Sequence, residues 1–530
     1  MISDSEVSLL SNDEYSTDTE QDNYIVNRFI KRQKAFYLEE NLSEYKSNIL
    51  NDELLLGENK KDIIIMKKRL KKPTKEIKYQ NLITKLTVPF NIYQKCSEMK
   101  VQKLMFFDIV EQFYSNQVIN KYIGLVGIRK LLALKDKSIL KKIIELNIIK
   151  EIFSLLENSP LEFQYEALLC LNNIVINNNN SFENNIIENI EIQRIINLLD
   201  SDIKDIKIKD IILIRNLAKA SLKVRKDLLD KKVLDKFFAI LSITNDINLI
   251  KIITWSISNF FKSKKKPSFD ICKKCVKIFA KIIILYPDDY ELLANAFFII
   301  STFVKNNKEI IKDLFDFEII PNIIKNLETN IKFIQINCLK IIKNIIKINI
   351  NETQKLIDLG ILEYLKILIY SQYKQIRNET ILIISKISVG SQKQKEILIE
   401  ENFLPLLNQI MIIDSIDIKK KCFLILYNLA FVENQNYIKK ILDQNILEII
   451  FDYIKEEGNY LIKGLEALVY ILCFGQKYNY KNIVKEICYM GILNTLKKLQ
   501  LYPNKIINEK TLGFFEKFLP KKKFINNYYF

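Results

Sequence analysis

The stretch Leu171-Asn172-Asn173-Ile174 returns 43 residues later as Ile214-Arg215-Asn216-Leu217, and again as Ile257-Ser258-Asn259-Phe260. The next step of 43 reaches Ile300-Ser301-Thr302-Phe303. Steps of 42 then give Ile342-Lys343-Asn344-Ile345, Ile384-Ser385-Lys386-Ile387, Leu426-Tyr427-Asn428-Leu429 and finally Val469-Tyr470-Ile471. Five of the eight registered positions are Asn, and the apolar flanks hold at nearly every step. Outward from this register the texture is uniform from about residue 98 to 519. Apolar residues recur at three- and four-residue spacing, broken by short polar gaps such as 157–160, 265–268 and 414–417. Only ten Gly and nine Pro occur in 530 residues, too few for a hairpin-rich chain. The spacing predicts an all-α protein.

An all-helical period of 42–43 residues is that of armadillo/HEAT repeats. The expected fold is a right-handed superhelical solenoid of about ten such repeats. Each unit would be a short helix followed by two longer ones, unable to bury its apolar face without its neighbours. The last helix of each unit would line the concave face, so a residue repeated there forms a ladder. An Asn ladder suits an extended peptide, because each amide offers a donor and an acceptor to peptide backbone. The competing reading is that the Asn residues link neighbouring repeats.

Net charge is +17. Residues 1–23 carry seven acidic residues and no basic one, so the body is more basic still. Such a body suggests an acidic partner, nucleic acid or a self-masking arm, against the plainer reading of a solvated Lys-rich surface. The chain has no histidine, which excludes Ser-His, Cys-His and His-ligand chemistry. It also has no Gly-rich nucleotide loop. Eight scattered cysteines, Cys96 to Cys488, sit mostly in apolar runs and read as reduced, buried thiols. Cys272 and Cys275 form a lone C-x-x-C without a second pair. No enzyme activity, cofactor or metal is expected. The acidic N-terminus has no signal-peptide character, and the apolar window 292–304 is too short and too polar to span a bilayer.

Several stretches resemble the importin-α family of nuclear-import adaptors. Thr254-Trp255-Ser256-Ile257-Ser258-Asn259, followed by Lys262 to Pro267, resembles the family's T-W-T-L-S-N repeat and its Lys/Pro-rich insertion. Phe163-Gln164-Tyr165-Glu166-Ala167 resembles L-Q-F-E-A, and Arg129-Lys130-Leu131-Leu132 resembles the end of F-R-K-L-L. Arg225 to Leu229, Gly464 to Leu468 and Gly491 to Leu493 continue the match collinearly over roughly 100–519. The resemblance implies a groove in which Trp residues wall the stems of cargo Lys. Asn side chains four residues on would hold the peptide backbone, and nearby acids would receive the ammonium groups. Its Trp positions fall on Leu169, Ile212, Trp255, Phe298, Lys340, Leu382, Leu424 and Glu466, and Trp255 is the only Trp in the chain. The implied cargo-groove residues are Asn173, Asn216, Trp255, Asn259, Phe298, Asn344, Glu379 and Asn428. Several acidic positions are lost, to Ala220, Lys305, Ile350 and Lys421. Cargo recognition is therefore expected to be better kept around Asn173, Asn216, Trp255 and Asn259 than beyond.

The resemblance also implies an importin-β-binding arm over residues 24–78. It would use Arg28, Lys31, Arg32 and Lys34, then a closing cluster Lys67, Lys68 and Arg69. The organisation expected is an acidic tail (1–23), a flexible basic arm (24–78), a solenoid (98–519) and a basic tail (520–530). The implied function is nuclear import: binding basic nuclear-localisation signals in the groove and importin-β through the arm, while shuttling between cytoplasm and nucleus. Two alternatives stand beside it. One is an armadillo scaffold that has lost cargo recognition and binds another, possibly acidic, protein. The other, less favoured for want of a nucleic-acid-binding module, is direct nucleic-acid binding by the basic surface.

Overall fold

The structure, a computed structural model, describes residues 98–177, 191–261, 268–305, 307–444, 446–455, 458–477 and 491–518, with Val88, Ile92, Lys95 and Cys96 before them. The predicted arm, both predicted tails and the Lys262–Pro267 insertion lie outside the described residues. Among the described residues the protein is all-helical, with no strand. It divides into two units, residues 1–272 with 288–296, and 273–287 with 297–530.

The first unit opens with α1 (Phe106–Phe113) and α2 (Val118–Ala133), then α3 (Lys137–Glu145), α4 (Ile148–Ser154) and α5 (Leu161–Asn177). It continues with α6 (Ile192–Leu198), α7 (Lys204–Ala220), α8 (Leu222–Asp230), α9 (Val233–Ile243) and α10 (Ile247–Phe260). Helices α11 (Phe269–Leu285) and α12 (Tyr290–Phe303) come next. The second unit then runs through α13 (Lys308–Asp316), α14 (Ile320–Lys325), α15 (Lys332–Ile346), α16 (Ile350–Asp358), α17 (Ile361–Leu368) and α18 (Lys374–Ser388). It goes on with α19 (Gln392–Glu400), α20 (Phe403–Ile413), α21 (Ile416–Ala430), α22 (Gln435–Leu442), α23 (Ile446–Ile454) and α24 (Asn459–Lys477). It ends with α25 (Ile492–Leu499) and α26 (Lys505–Phe518).

Most repeats are two short helices and one long one, not the short-long-long unit expected from sequence, while α12 is preceded directly by the 17-residue α11. The middle helix stops early because its apolar run meets turn formers. After α14 come Asn326, Glu328, Thr329 and Asn330, and the Thr329 hydroxyl accepts the Ile331 N–H at 3.3 Å. The same Ser/Thr turn leads into α7, α10 and α18, through Ser201, Thr244 and Ser371. Last helices pack on one another in sequence order. In the first unit α2 adjoins α5, α5 adjoins α7 and α7 adjoins α10; in the second α15, α18, α21, α24 and α26 adjoin successively. The short helices are amphipathic: α13 buries only Ile310, Ile311 and Leu314. The last helices are buried over a wider arc, as α18 is through Ile376, Thr380, Ile381, Ile383, Ile384 and Ile387. Arg129 on α2 and Glu166 on α5 tie two last helices with a buried ion pair at 2.6 Å. Both belong to motifs that carry the family resemblance.

A second period lies in the backbone. In five repeats the turn between the first and second helix passes through a left-handed residue, Asn147, Lys232, Glu318, Gly360 or Asn402, and Gly491, just before α25, is left-handed too. From Glu318 to Gly360 to Asn402 the step is 42 residues. Lys232 and Glu318 adopt φ of 58° and 55° although their side chains disfavour it. Lys232→Gly and Glu318→Gly should each stabilise the protein by about 0.5–1 kcal/mol, read as a higher denaturation midpoint. Gly360→Ala should lower it, although a Cβ there meets no atom within 4 Å.

Asp210 on α7 is fully buried, and neither carboxylate oxygen has a hydrogen-bond partner. Burial pushes its carboxyl well above the usual range, with Lys236 opposing weakly. Folding therefore takes up a proton at this site. Its contribution is most favourable below the unfolded pKa of about 3.9 and becomes more unfavourable as pH rises toward the raised folded value. Asp210→Asn should raise the melting temperature at pH 7 and flatten the fall in stability above about pH 4.

Candidate groove on the last helices

Each registered residue stands on the last helix of its repeat, in the two units considered separately. In the first unit these are Asn173 on α5, Asn216 on α7 and both Trp255 and Asn259 on α10. Their amides bond to neighbouring backbone and, for Asn216, to the adjacent Asn172. Asn173 Nδ2 donates to the Arg129 carbonyl at 3.3 Å, one repeat back. Asn172 Nδ2 donates to the Leu168 and Lys209 carbonyls at 3.0 and 3.3 Å, and its Oδ1 accepts from Asn216 Nδ2 at 3.0 Å. Asn177 Nδ2 donates to the Leu132 carbonyl at 2.6 Å. Asn259 Nδ2 reaches the Trp255 carbonyl at 3.2 Å within its own helix. The ladder is therefore also a set of links between repeats. The periodicity located these residues but carried no information on where each amide would point.

Trp255 is half-buried, not a core residue. The guanidinium of Arg215, on the preceding last helix, lies 3.7 Å from the ring centroid. Arg215 Nε also donates to Asn216 Oδ1 at 3.4 Å. Sequence reasoning missed Arg215. Its only signal was its place one residue before a registered Asn, and the contact spans two repeats. A similar cross-repeat pair places Lys209 over Tyr165 at 5.9 Å.

In the second unit, Phe298 stacks on Phe333 with centroids 6.0 Å apart and rings inclined by 27°. Asn344 Nδ2 donates to the Lys340 carbonyl at 2.8 Å and Asn428 Nδ2 to Ser388 Oγ at 2.9 Å. Glu379 is buried and paired with Lys343. Lys340, at a Trp position of the family, has its ammonium pKa lowered by burial, with Glu379 opposing and Lys343 adding to the shift. A cleft of about 480 Å³ opens among Tyr427, Phe431, Glu466, Tyr470, Lys510 and Phe514. The Tyr427 hydroxyl and the Lys510 ammonium both donate to Glu466, at 2.8 and 2.9 Å. Burial and the Glu466 bond push the Tyr427 phenol up to about 12. Among the described residues no group of three or more His, Cys, Asp or Glu could hold a metal, and no helix is long and apolar enough to cross a membrane.

These helices define an armadillo-repeat solenoid. No family model matches the chain. It is 24% identical over 286 residues to importin subunit alpha-1a of Oryza sativa subsp. japonica, covering 53% of each. It is 22% identical over 411 residues to importin subunit alpha-8 of Arabidopsis thaliana, covering 76% of this chain and 90% of that one. The chain spans about half the length of the first of these relatives. Among solved structures, the crystal structure of an engineered protein superposes with a TM-score of 0.60 at 16% identity, over 78% of this chain and 98% of that one. The chain thus has the armadillo-repeat fold and is similar, at low identity, to importin-α subunits.

Because Trp255 is the only tryptophan, its fluorescence reports on this site alone. Arg215→Ala should alter the emission maximum and raise acrylamide quenching, with a stability loss of no more than about 1 kcal/mol. Unchanged emission and quenching would show that the guanidinium does not cover the ring in solution.

Proposed function

We propose that the protein is a nuclear-import adaptor that binds basic cargo peptides along the last helices of its first unit. One observation carries this reading: the half-buried Trp255 ring already holds a guanidinium at 3.7 Å, with Asn259 one helical turn on. The site thus suits a cationic side chain on an aliphatic stem, the chemistry of a Lys/Arg-rich signal. Asn173 and Asn216 would steady the peptide backbone. Arg215 is then an internal competitor that cargo must displace. The collinear likeness to importin-α subunits supports the adaptor role. The basic clusters of residues 24–78, Arg28, Lys31, Arg32 and Lys34 with Lys67, Lys68 and Arg69, would then form an importin-β-binding arm. An adaptor of this kind would shuttle between cytoplasm and nucleus.

Titration with a fluorescent Lys-rich signal peptide tests the groove. Trp255→Ala with Asn259→Ala should weaken binding by about 1–3 kcal/mol without unfolding the chain, whereas Arg215→Ala should tighten it. Equal affinity in a well-folded double variant would remove the groove assignment. Replacing the seven arm cations by Gln should abolish capture of importin-β while leaving cargo affinity equal or tighter. Undiminished capture would remove the arm assignment.

A further inference from the structure

The positive charge of the second unit is not spread evenly over its helices. The five last helices, α15, α18, α21, α24 and α26, carry fourteen basic and five acidic residues. The nine shorter helices between α13 and α25, with the part of α11 that belongs to this unit (273–285), carry fifteen basic and ten acidic residues. A net +9 therefore sits on the row of last helices and +5 on the other helices of the unit. The two sets hold similar numbers of basic residues, and the difference lies in the acidic ones, five on the last helices against ten on the others.

Within that row the cations reach along the solvent-facing strip. Lys386 is exposed at a registered position. Lys343 pairs with Glu379 and Lys421 with Asn378. Lys463 lies over the Tyr427 ring at 4.2 Å, and Lys510 holds Glu466 at 2.9 Å. The two carboxylates of the strip are each already held by a lysine, and the surplus is positive. Asn344 and Asn428 use their amide N–H groups within the protein, and the Oδ1 of each accepts no hydrogen bond among the described residues.

We propose that this row binds an acidic, extended polypeptide segment of another protein. Its carboxylates would pair with Lys386, Lys421 and Lys463, and its backbone N–H groups would donate to Asn344 and Asn428. Adjacent last helices lie about 10 Å apart, and an extended chain advances about 3.3 Å per residue. A ligand of about twelve residues with an acid at every third position therefore spans the five helices. Single-stranded nucleic acid fits less well, because it relies on aromatic faces for base stacking. Here Lys463 covers Tyr427 and Lys420 lies 5.3 Å over Tyr460. This surface uses other residues and the opposite ligand charge from the first-unit site, so it stands without the cargo reading.

The test is fluorescence anisotropy with the full chain at about 0.1 M salt, where exposed charges are screened beyond about 10 Å. The probes are a peptide of about twelve residues with Glu at every third position, the same composition with its Glu clustered, a Lys counterpart, and a single-stranded oligonucleotide of similar length. The spaced Glu peptide should bind more tightly than the clustered and Lys peptides. Lys386→Glu with Lys421→Glu should weaken it by about tenfold or more with unchanged helical circular dichroism. Trp255→Ala with Asn259→Ala should leave it unaltered. If the double reversal unfolds, the single exposed change Lys386→Gln should still weaken binding by about two- to fivefold. The proposal is overturned by absent binding, by equal affinity for spaced and clustered acids, by unchanged affinity in folded lysine variants, or by an oligonucleotide that binds tighter than the spaced Glu peptide.

Discussion

Enclosure of the last helix governs everything else in this protein. Helix α18 is flanked by last helices α15 and α21 and contacts the short helices α17 and α19. A helix so enclosed keeps one narrow strip of surface. On α18 the strip runs through Asn378, Leu382, Ser385 and Lys386; on α21 it runs through Lys421, Leu424, Tyr427 and Asn428. Each set advances by steps of three or four residues and closes on an adjacent pair, the spacing of a single helical face. Recognition has to be written in those few positions of each repeat. The 42–43-residue period of the sequence is the period of that strip.

The same enclosure makes stability and recognition share atoms. Successive strips lie side by side, so a polar group on one reaches the next before it reaches a ligand. Asn216 bonds Asn172, Asn428 bonds Ser388, and Arg215 covers Trp255. A ligand therefore meets a surface with internal partners already in place. Its affinity is the difference between its own contacts and those it displaces. This is why Arg215, invisible as a site residue in the sequence, becomes the group that decides how readily the Trp255 ring can be reached.

Much of the architecture was legible because repetition amplifies weak signals. The step from Asn173 to Asn216 to Asn259 placed the last helices, and the lone tryptophan fixed the register within them. Helix lengths were less legible. The apolar run from Ile319 to Ile324 looks continuous with the apolar residues of α15, and only the turn at Thr329 separates the two. The left-handed positions were not legible, since Asn147, Lys232, Glu318 and Gly360 share no residue type. Nor was the segregation of charge. Lysine is evenly strewn along the chain, and the thinning of acidic residues on the last helices of the second unit shows only once each residue is assigned to its helix.

The left-handed turns bear on how such a chain can change over time. Their positions repeat while their side chains do not, so the spacing belongs to the backbone and not to any particular amino acid. A short gain or loss inside a repeat would rotate every later last helix away from its neighbour's ridge. A gain or loss of one whole repeat would leave each helix facing a partner equivalent to the one it had. Changes in length are then tolerated in quanta of one repeat, while substitutions accumulate freely around an unaltered frame.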